Sequence, residues 1–342
     1  MSPADISVVV PAYGRPEELD ELLQSILDQT RAPQEVLVCE DMSPRRAQIR
    51  TVCEAYRQRF AAAGTTLTYV ENEQNLGFDK NLRKCIESAA SEWALIMGDD
   101  DALLREAVAI IDEHVQKSGQ DFFSCAFVRF STDTEKPVGT SKISDNNEVF
   151  SARDSAPSKI FKAARFISGL VVRVPFARKF TCSDFDGTLY YQVYLAAVAF
   201  CTNGIGYIAS PLVAGRTDNP PLFGNALDER GLHVPGRYTA KGRTAMWRGV
   251  LEIGSTVGHD WDVDLVTDLR HELKVRESFH VFEMNAGAPR EELNELRSGL
   301  KSLGLFAHPL PRALFTLDYT LGKHARPFYR LARAIFQRRL AH

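Results

Sequence analysis

The chain has 342 residues, of which 44% are hydrophobic and 25% charged, and its formal net charge is −3. This length supports one large α/β domain with an appendage, or about two domains, and the composition argues against disorder and against a multi-span membrane protein. A nearly neutral chain lacks the electrostatic footprint of a nucleic-acid-binding protein. The six cysteines form no C-x-x-C pair and no stretch is apolar enough to span a bilayer, so we expect reduced thiols in a cytoplasmic protein.

Strands and helices alternate along the first 130 residues. Short β-branched or apolar runs predict buried strands, and apolar residues at helical spacing predict the helices between them. The predicted strands cover residues 6–10, 35–39, 66–70, 93–97 and 122–130. The predicted helices cover about 17–29, 80–90 and 106–117. A further helix begins after the second strand, with Ser43 as its N-cap and Pro44 at its first position. A polar loop (131–147), a strand (168–174), an apolar helix (189–199) and a short strand (206–209) follow.

This alternation predicts an α/β fold with a doubly wound, mostly parallel sheet. From about residue 212 the chain becomes rich in Gly and Pro and then helical, so we predict a sheet domain over residues 1–215 and a mostly helical C-terminal region over 216–342. Ligands of such sheets bind at the carboxyl ends of the strands. The residues that follow the predicted strands are therefore the candidates for function.

Three adjacent carboxylates, Asp99, Asp100 and Asp101, follow the fourth strand directly. Their mutual repulsion would be relieved by a hard divalent cation such as Mg²⁺ or Mn²⁺, held by one or two carboxylates and by the phosphates of a substrate. The alternative is a solvated turn in which one Asp caps the next helix. Spacing alone does not separate these two interpretations.

The loops after the other strands carry groups that suit a nucleotide. Tyr13 and Arg15 follow the first strand, Glu40 and Asp41 the second, and Lys80 belongs to the Asn-Leu-Gly-Phe-Asp-Lys-Asn segment after the third. An aromatic ring stacks on a base, a carboxylate accepts hydrogen bonds from a base or ribose, and a cation meets a diphosphate. Each residue alone also fits a structural role.

Taken in order, these segments resemble the family 2 glycosyltransferases of the GT-A fold. The resemblance covers about residues 6–105, with a thinner likeness to about 216, and rests on four motifs: Ser-Val-Val-Val-Pro-Ala-Tyr (7–13) with Pro16, Val-Cys-Glu-Asp-Met-Ser (38–43), Asn-Leu-Gly with Lys-Asn (75–81), and Met-Gly-Asp-Asp-Asp (97–101). It implies sugar transfer from a nucleotide diphosphate sugar. It also implies Mn²⁺ or Mg²⁺ as cofactor and an inverting reaction.

The resemblance also assigns roles to single residues. Tyr13 would stack on the base and Asp41 would contact base or ribose, while Asp99 and Asp101 would bind the metal. The other nucleotide-contacting positions would be Pro11, Arg15, Lys80, Asp99 and Asp100. The chain departs from the family pattern at Gly14, at Met42 and at Gly98, which stands where the first Asp of the metal motif is usual.

The general base is the weakest part of this assignment. Inverting members place a Glu-Asp pair at a helix start, where this chain has Tyr191 and Gln192. The nearest carboxylates are Asp184 and Asp186, just before the helix, and we take them as candidates for the base that deprotonates the acceptor. Alternatively, they cap or precede the helix without a catalytic role.

The last 24 residues contain six basic residues and no acid. Phe328, Leu331, Ile335, Phe336 and Leu340 fall on one helical stripe, and the arginines lie off it. This composition is typical of an interfacial helix that binds anionic membrane, although a terminal helix packed on the core would show the same stripe. We therefore predict a peripheral protein at the inner face of the cytoplasmic membrane, acting on a lipid-linked glycan of the O-antigen type, such as a polyprenyl-linked intermediate.

Two other functions remain open on the sequence alone. A sugar nucleotidyltransferase also needs a carboxylate-bound metal, but would carry a Gly-rich basic loop where residues 11–16 stand. A membrane-docked scaffold with a degenerate transferase domain would account for the missing Glu-Asp pair. The first choice remains a metal-dependent glycosyltransferase.

Overall fold

The computed structural model describes residues 2–131, 134 and 136–332. Ten strands form one sheet: β1 Ala4–Ala12, β2 Pro33–Glu40, β3 Thr66–Glu71, β4 Trp93–Ile96, β5 Ala102–Leu103, β6 Phe122–Phe130, β7 Gly139–Ser141, β8 Glu148–Phe150, β9 Leu170–Arg173 and β10 Ile205–Arg216. Seven α-helices alternate with them: α1 Pro16–Leu27, α2 Arg46–Ala62, α3 Phe78–Ser88, α4 Ala107–Lys117, α5 Ser158–Ala164, α6 Val174–Lys179 and α7 Tyr191–Cys201. The mixed α/β architecture predicted from the alternation is confirmed.

The strand order is β3-β2-β1-β4-β9-β6-β10-β5, with β7 beside β6 and β8 beside β10. Strand β1 lies near the middle of the parallel part, where Val9 pairs with Leu37 of β2 and with Ile96 of β4. It is central because nearly all of its residues are apolar and buried on both faces. The carboxyl ends of β1, β2 and β4 consequently meet at one edge.

The sheet is not parallel throughout. Strand β9 runs antiparallel to both β4 and β6. The chain leaves β8 at the amino end of β10, and α5 then carries it back to the carboxyl edge. Strand β9 therefore runs from the carboxyl edge toward the amino edge of the sheet. Strand β10 extends for 12 residues, well beyond the short strand predicted at 206–209, and it brings Arg216 to the carboxyl edge.

The predicted cap of the second helix is wrong. Helix α2 begins at Arg46 and has no side-chain cap. The Glu40 carboxylate accepts hydrogen bonds from the backbone N–H groups of Met42 and Ser43, at 3.0 and 2.6 Å, and the Ser43 hydroxyl is buried without a partner. Because Glu40 fixes the backbone of this turn, the Ser43 hydroxyl is not placed at the start of the helix.

Two apolar layers cover the faces of the sheet. Val8 and Val10 pack with α1, α2 and α4, whereas Val9 packs with α3, α5 and α7 on the opposite face. The second layer continues without a break into the C-terminal helices, through Trp247 and Leu296. These helices are α8 Ala240–Asp260, α9 Val266–Glu272, α10 Ser278–Met284, α11 Arg290–Ser302 and α12 Pro309–Leu321, with a π-helical turn at Leu273–Glu277.

The C-terminal basic segment lies partly outside the described residues, which end at 332. Within the described part, Tyr329 is buried and its hydroxyl donates to the Asp318 carboxylate at 3.0 Å. Phe328 and Leu331, by contrast, are 53% and 62% exposed. Among the described residues, no helix combines the length and the hydropathy needed to cross a bilayer.

Candidate active site

A cavity of about 290 Å³ opens at the carboxyl edge of the sheet. Its floor comes from the segments that follow β1, β2 and β4, and the loop after β10 covers part of it. Six of the seven residues that the sequence assigned to the nucleotide line it, together with Asp101: Pro11, Tyr13, Arg15, Asp41, Asp99 and Asp100. This convergence follows from the parallel pairing of the strands.

Arg15 and the first two carboxylates form the charged centre of this cavity. One Arg15 nitrogen, Nη1, lies 3.1 Å from Asp99 Oδ1 and 2.9 Å from Asp100 Oδ2. The backbone N–H of Tyr13 donates to Asp99 Oδ2 at 2.8 Å. The guanidinium therefore compensates two adjacent negative charges, and it ties the loop after β1 to the loop after β4.

Asp101 has a different environment. Its Oδ2 accepts a hydrogen bond from the Ser168 hydroxyl, and its Oδ1 accepts the backbone N–H of Arg216 at 2.8 Å. Burial raises the pKa of the Asp99 and Asp101 carboxyls well above their ordinary range, and the neighbouring negative charge of Asp100 acts in the same direction. Through these two contacts Asp101 joins the loop after β4 to the segment before β9 and to the end of β10, and its role as a metal ligand stays a prediction.

The donor set at this edge fits a hard divalent cation. Asp100 is the more exposed of the ion-paired carboxylates, at 17% against 7% for Asp99, and its Oδ1 accepts no hydrogen bond from the described residues. Mg²⁺ and Mn²⁺ are commonly held by one or two carboxylates, with phosphates and waters completing the shell. In the described part of the chain no three His, Cys, Asp or Glu residues gather into a closed metal site.

Asp41 organises the loop after β3. Its carboxylate accepts the backbone N–H groups of Leu76 and Gly77 at 2.8 and 2.9 Å, and the side-chain amide of Asn72 at 2.8 Å. Burial raises its pKa, and these hydrogen bonds oppose that rise. Gly77 has φ of +83°, and a Cβ there would lie 2.8 Å from Glu229 Oε1. Asp41 lines the cavity, as the sequence predicted, but its structural role is to shape the neighbouring wall.

The loop after β10 is fastened over the cavity by polar contacts. Arg15 donates to the Pro220 carbonyl at 2.6 Å, and the Asn219 amide donates to Asp100 at 3.1 Å. The buried Glu229 carboxylate accepts the backbone N–H groups of Phe78 and Gly224, at 2.7 and 2.6 Å. Sequence reasoning missed Arg216, Asn219 and Glu229, because only the full length of β10 brings its end to this edge.

The remaining candidates lie outside the cavity lining. Lys80 pairs with Asp228 at the surface, so its predicted contact with the nucleotide is not supported. Asp186 accepts two hydrogen bonds from Arg83, at 2.5 and 2.9 Å, and Asp184 is exposed. Neither of these two carboxylates faces the donor cavity, so this geometry does not support the assignment of the general base to them.

We expect Asp186→Asn to act on stability and not on turnover. The change leaves the half-buried Arg83 guanidinium without its carboxylate, which should lower the free energy of unfolding by about 2 kcal/mol. Urea unfolding and donor turnover of Asp186→Asn, compared with the matched exposed variant Asp184→Asn, check this. A loss of turnover of about 10²-fold at unchanged stability in either variant would reinstate the general-base assignment.

Asp79 supplies the cap that the start of α7 lacks. Its buried carboxylate accepts the backbone N–H groups of Leu189 and Tyr191, at 2.8 and 2.9 Å. Burial raises its pKa to about 7, while these two hydrogen bonds oppose the rise. At a pH between about 4, the pKa of this carboxyl in the unfolded state, and about 7, its pKa in the native state, the native state therefore binds more protons than the unfolded state.

This pKa predicts the sign of a pH effect. The contribution of Asp79 to stability should fall as the pH rises from about 4 to 7 and should stay constant above that. Chemical unfolding of wild type and Asp79→Asn across this range isolates the contribution as the difference between the two proteins. A difference that grows with pH would show that the hydrogen bonds outweigh burial.

The fold is of the GT-A type, and the cavity lies at the edge of the sheet where such folds bind ligands. The family model for glycosyl transferase family 2 matches residues 7–171. Abequosyltransferase RfbV of Salmonella typhimurium is 26% identical over 234 residues, which cover 63% of this chain and 67% of that protein. An uncharacterized glycosyltransferase of Haemophilus influenzae is 28% identical over 101 residues, or 30% of this chain and 31% of that protein.

Solved structures with this fold cover nearly the whole chain. TarS 1-349 of S. aureus in complex with UDP-GlcNAc has a TM-score of 0.62 at 15% identity, covering 97% of this chain and 92% of TarS. The mannosyltransferase PcManGT of Pyrobaculum calidifontis, in complex with GDP-Man and Mn²⁺, has a TM-score of 0.53 at 15% identity, covering 97% and 88%. Residues 7–171 thus match the family 2 glycosyltransferases, and the chain is a glycosyltransferase that uses a nucleotide-sugar donor. This assignment favours a transferase over the nucleotidyltransferase and scaffold alternatives.

Proposed function

We propose that this glycosyltransferase transfers a sugar from a nucleotide diphosphate sugar, with the help of Mn²⁺ or Mg²⁺, to a lipid-linked glycan. The observation that carries the proposal is the convergence of Tyr13, Arg15, Asp41, Asp99 and Asp100 on one cavity at the carboxyl edge of the sheet. Tyr13 and Asp41 would bind the nucleoside part of the donor. Arg15 and the carboxylates would lie at the diphosphate.

Asp99 and Asp100 would hold the divalent cation, and Pro11 would line the nucleotide site. When bound, such a cation neutralises the charge that develops on the leaving diphosphate. The chain itself fixes the donor between the loops after β1, β2 and β4, and the loop after β10 excludes water from above. Inversion at the anomeric carbon is proposed from the resemblance to the family 2 glycosyltransferases.

Nucleotide sugars that differ in base and sugar, screened by thermal shift with and without Mn²⁺, test this function. We expect one donor to raise the melting temperature in a concentration-dependent manner only in the presence of the cation, because a ligand stabilises the state that binds it. Release of the nucleoside diphosphate from that donor should require the same cation. Equal stabilisation and turnover in excess EDTA would contradict metal dependence.

For the acceptor, we propose a polyprenyl-linked glycan of a bacterial surface polysaccharide, used at the inner face of the cytoplasmic membrane. The abequosyltransferase relative transfers a sugar by its name, and the basic C-terminal segment suits an anionic membrane surface. The division into a donor domain (1–215) and an acceptor-side helical region (216–342) remains part of this proposal. The loop after β10, however, contributes Asn219 and Glu229 to the donor cavity as well.

Deleting residues 333–342 should weaken binding to anionic vesicles. The deletion removes three arginines, each contributing about 1 kcal/mol near the surface. The binding constant for anionic vesicles, measured by cosedimentation at low salt, should therefore fall roughly hundredfold. It keeps Tyr329, whereas a deletion from residue 325 would remove Tyr329 and leave its buried partner Asp318 without that hydrogen bond. Phe328→Ser with Leu331→Ser should act in the same direction, whereas Met284→Ser, another exposed apolar change, should not. Unchanged sedimentation would refute membrane binding by this segment.

A further inference from the structure

A second cavity, of about 130 Å³, lies beside the donor cavity. Phe166 lines both cavities, and Ser168, which lines the second, donates its hydroxyl hydrogen bond to Asp101 at the edge of the first. The two cavities therefore share the wall formed by the segment that leads into β9. We call the second one the basic cavity.

Five cationic side chains from separate parts of the chain line the basic cavity. They come from the segment after β7, from α5 and its end, and from the π-helical turn: Lys142, Lys159, Lys162, Arg165 and Arg276. Residues this distant in sequence gather like charges only where the fold places them together. Like charges at one site repel each other, so their convergence costs stability unless an anion compensates it.

The acidic residues around the basic cavity do not balance this charge. Arg165 pairs with Glu277 at 2.8 Å, and the carboxylate of Glu272 is shared between Lys162 at 3.1 Å and Arg276 at 3.7 Å. Lys142 lies 3.5 Å from Asp145, whose side chain is 91% exposed. The Lys159 ammonium lies 4.4 Å from the centre of the Phe150 ring and forms no ion pair with a described residue. A net positive charge therefore remains.

The size of the basic cavity selects among anions. At about 130 Å³ it is less than half the volume of the donor cavity, and it falls well below the range of pockets that hold whole organic ligands. It can take a compact anionic group but not a nucleotide. Lysine ammonium and arginine guanidinium groups are suitable donors for the oxygens of a phosphate.

We propose that the basic cavity binds the diphosphate of the acceptor, which would hold the acceptor glycan against the donor sugar across the Phe166 wall. This inference rests on the proposed function, because it assigns a subsite to the lipid-linked acceptor. The diphosphate of the donor has its own partners in Arg15 and the carboxylate-bound cation. The lipid chain would leave the basic cavity on its open side.

The test measures binding of two probes, inorganic diphosphate and farnesyl diphosphate, to the full chain at constant low ionic strength by titration calorimetry. In the double variant Lys159→Gln, Arg276→Gln we expect the dissociation constant of farnesyl diphosphate to rise about tenfold or more, since two charge-assisted contacts are lost. Lys159→Arg, which keeps the charge, should restore most of the affinity lost in Lys159→Gln. Lys179→Gln is the matched control, because Lys179 also lies over an aromatic ring, that of Phe180, but outside both cavities.

Hydrolysis of the donor sugar, measured without acceptor, should be the same in all these variants. If wild type binds no nucleotide sugar in the presence of Mn²⁺, the proposed function fails, and the result for farnesyl diphosphate still stands by itself. Unchanged affinity of farnesyl diphosphate in the double variant would overturn the inference. Binding of inorganic diphosphate without binding of farnesyl diphosphate would also overturn it, because the basic cavity would then be a site for a free anion.

Discussion

Replacing Asp100 by Asn is expected to lower sugar transfer about 10³-fold at saturating donor and Mn²⁺. Asp100 is the more exposed of the two carboxylates paired with Arg15, and one of its oxygens has no partner among the described residues. The amide would remove the charge that draws a divalent cation to the leaving diphosphate, a contribution of several kcal/mol. Steady-state transfer and release of the nucleoside diphosphate measure the loss.

Two comparisons separate this loss from unfolding. Asp20→Asn, an exposed carboxylate change on α1, should leave transfer unchanged. Asp101→Asn should instead lower the free energy of unfolding, because Asp101 accepts hydrogen bonds from Ser168 and from the Arg216 backbone. Transfer by Asp100→Asn at the wild-type rate, or by wild type in excess EDTA, would show that the reaction proceeds without a metal at this site.

Replacing Arg15 by Gln is expected to destabilise the protein by about 3 kcal/mol when no divalent cation is present. The guanidinium lies within 3.1 Å of both Asp99 and Asp100 and also donates to the Pro220 carbonyl. Its removal leaves two adjacent carboxylates without a compensating charge and unties the loop after β10. Urea unfolding of the purified protein in EDTA gives the size of the effect.

Addition of Mn²⁺ should recover much of this stability, because the cation would neutralise the same two carboxylates. Arg31→Gln is the matched control: Arg31 pairs with the buried Asp112, and neither lines the cavity, so its loss should not respond to Mn²⁺. Equal recovery in both variants would mean that Mn²⁺ stabilises the protein elsewhere. Absence of recovery in Arg15→Gln would exclude Asp99 and Asp100 as the metal site.

The sequence by itself determined seven of the ten described strands and the edge at which the site would lie, but not the short strands β5, β7 and β8, of which β7 falls in the predicted polar loop. The apolar run of β1 and the apolar spacing of α1 are local properties of the sequence. They therefore predict a strand and a helix without knowledge of the segments that pack against them. Parallel pairing then places the loops that carry Tyr13, Asp41 and Asp99 at one edge. The family motifs pointed to the same residues.

The tertiary structure alone decided which residues contact each polar side chain. Asp99, Asp100 and Asp101 are adjacent in sequence, yet Arg15 pairs with the first two, whereas Ser168 and Arg216 hold the third. Lys80 and Asp186 looked suited to the substrate, but Asp228 and Arg83 pair with them. A side chain's role depends on the atoms that reach it, and contacts between residues this far apart leave no periodic signal in the sequence.

The basic cavity shows the same division most clearly. Lys142, Lys159 and Arg276 are unremarkable charges in three segments of the chain, and each alone would be a solvated surface residue. The return of α5 to the carboxyl edge and the packing of the C-terminal helices place them around one space. Composition and periodicity determine which segments are buried, whereas the electrostatic field of a site arises only when distant segments pack together, because Coulomb energy depends on distance in space and not along the chain.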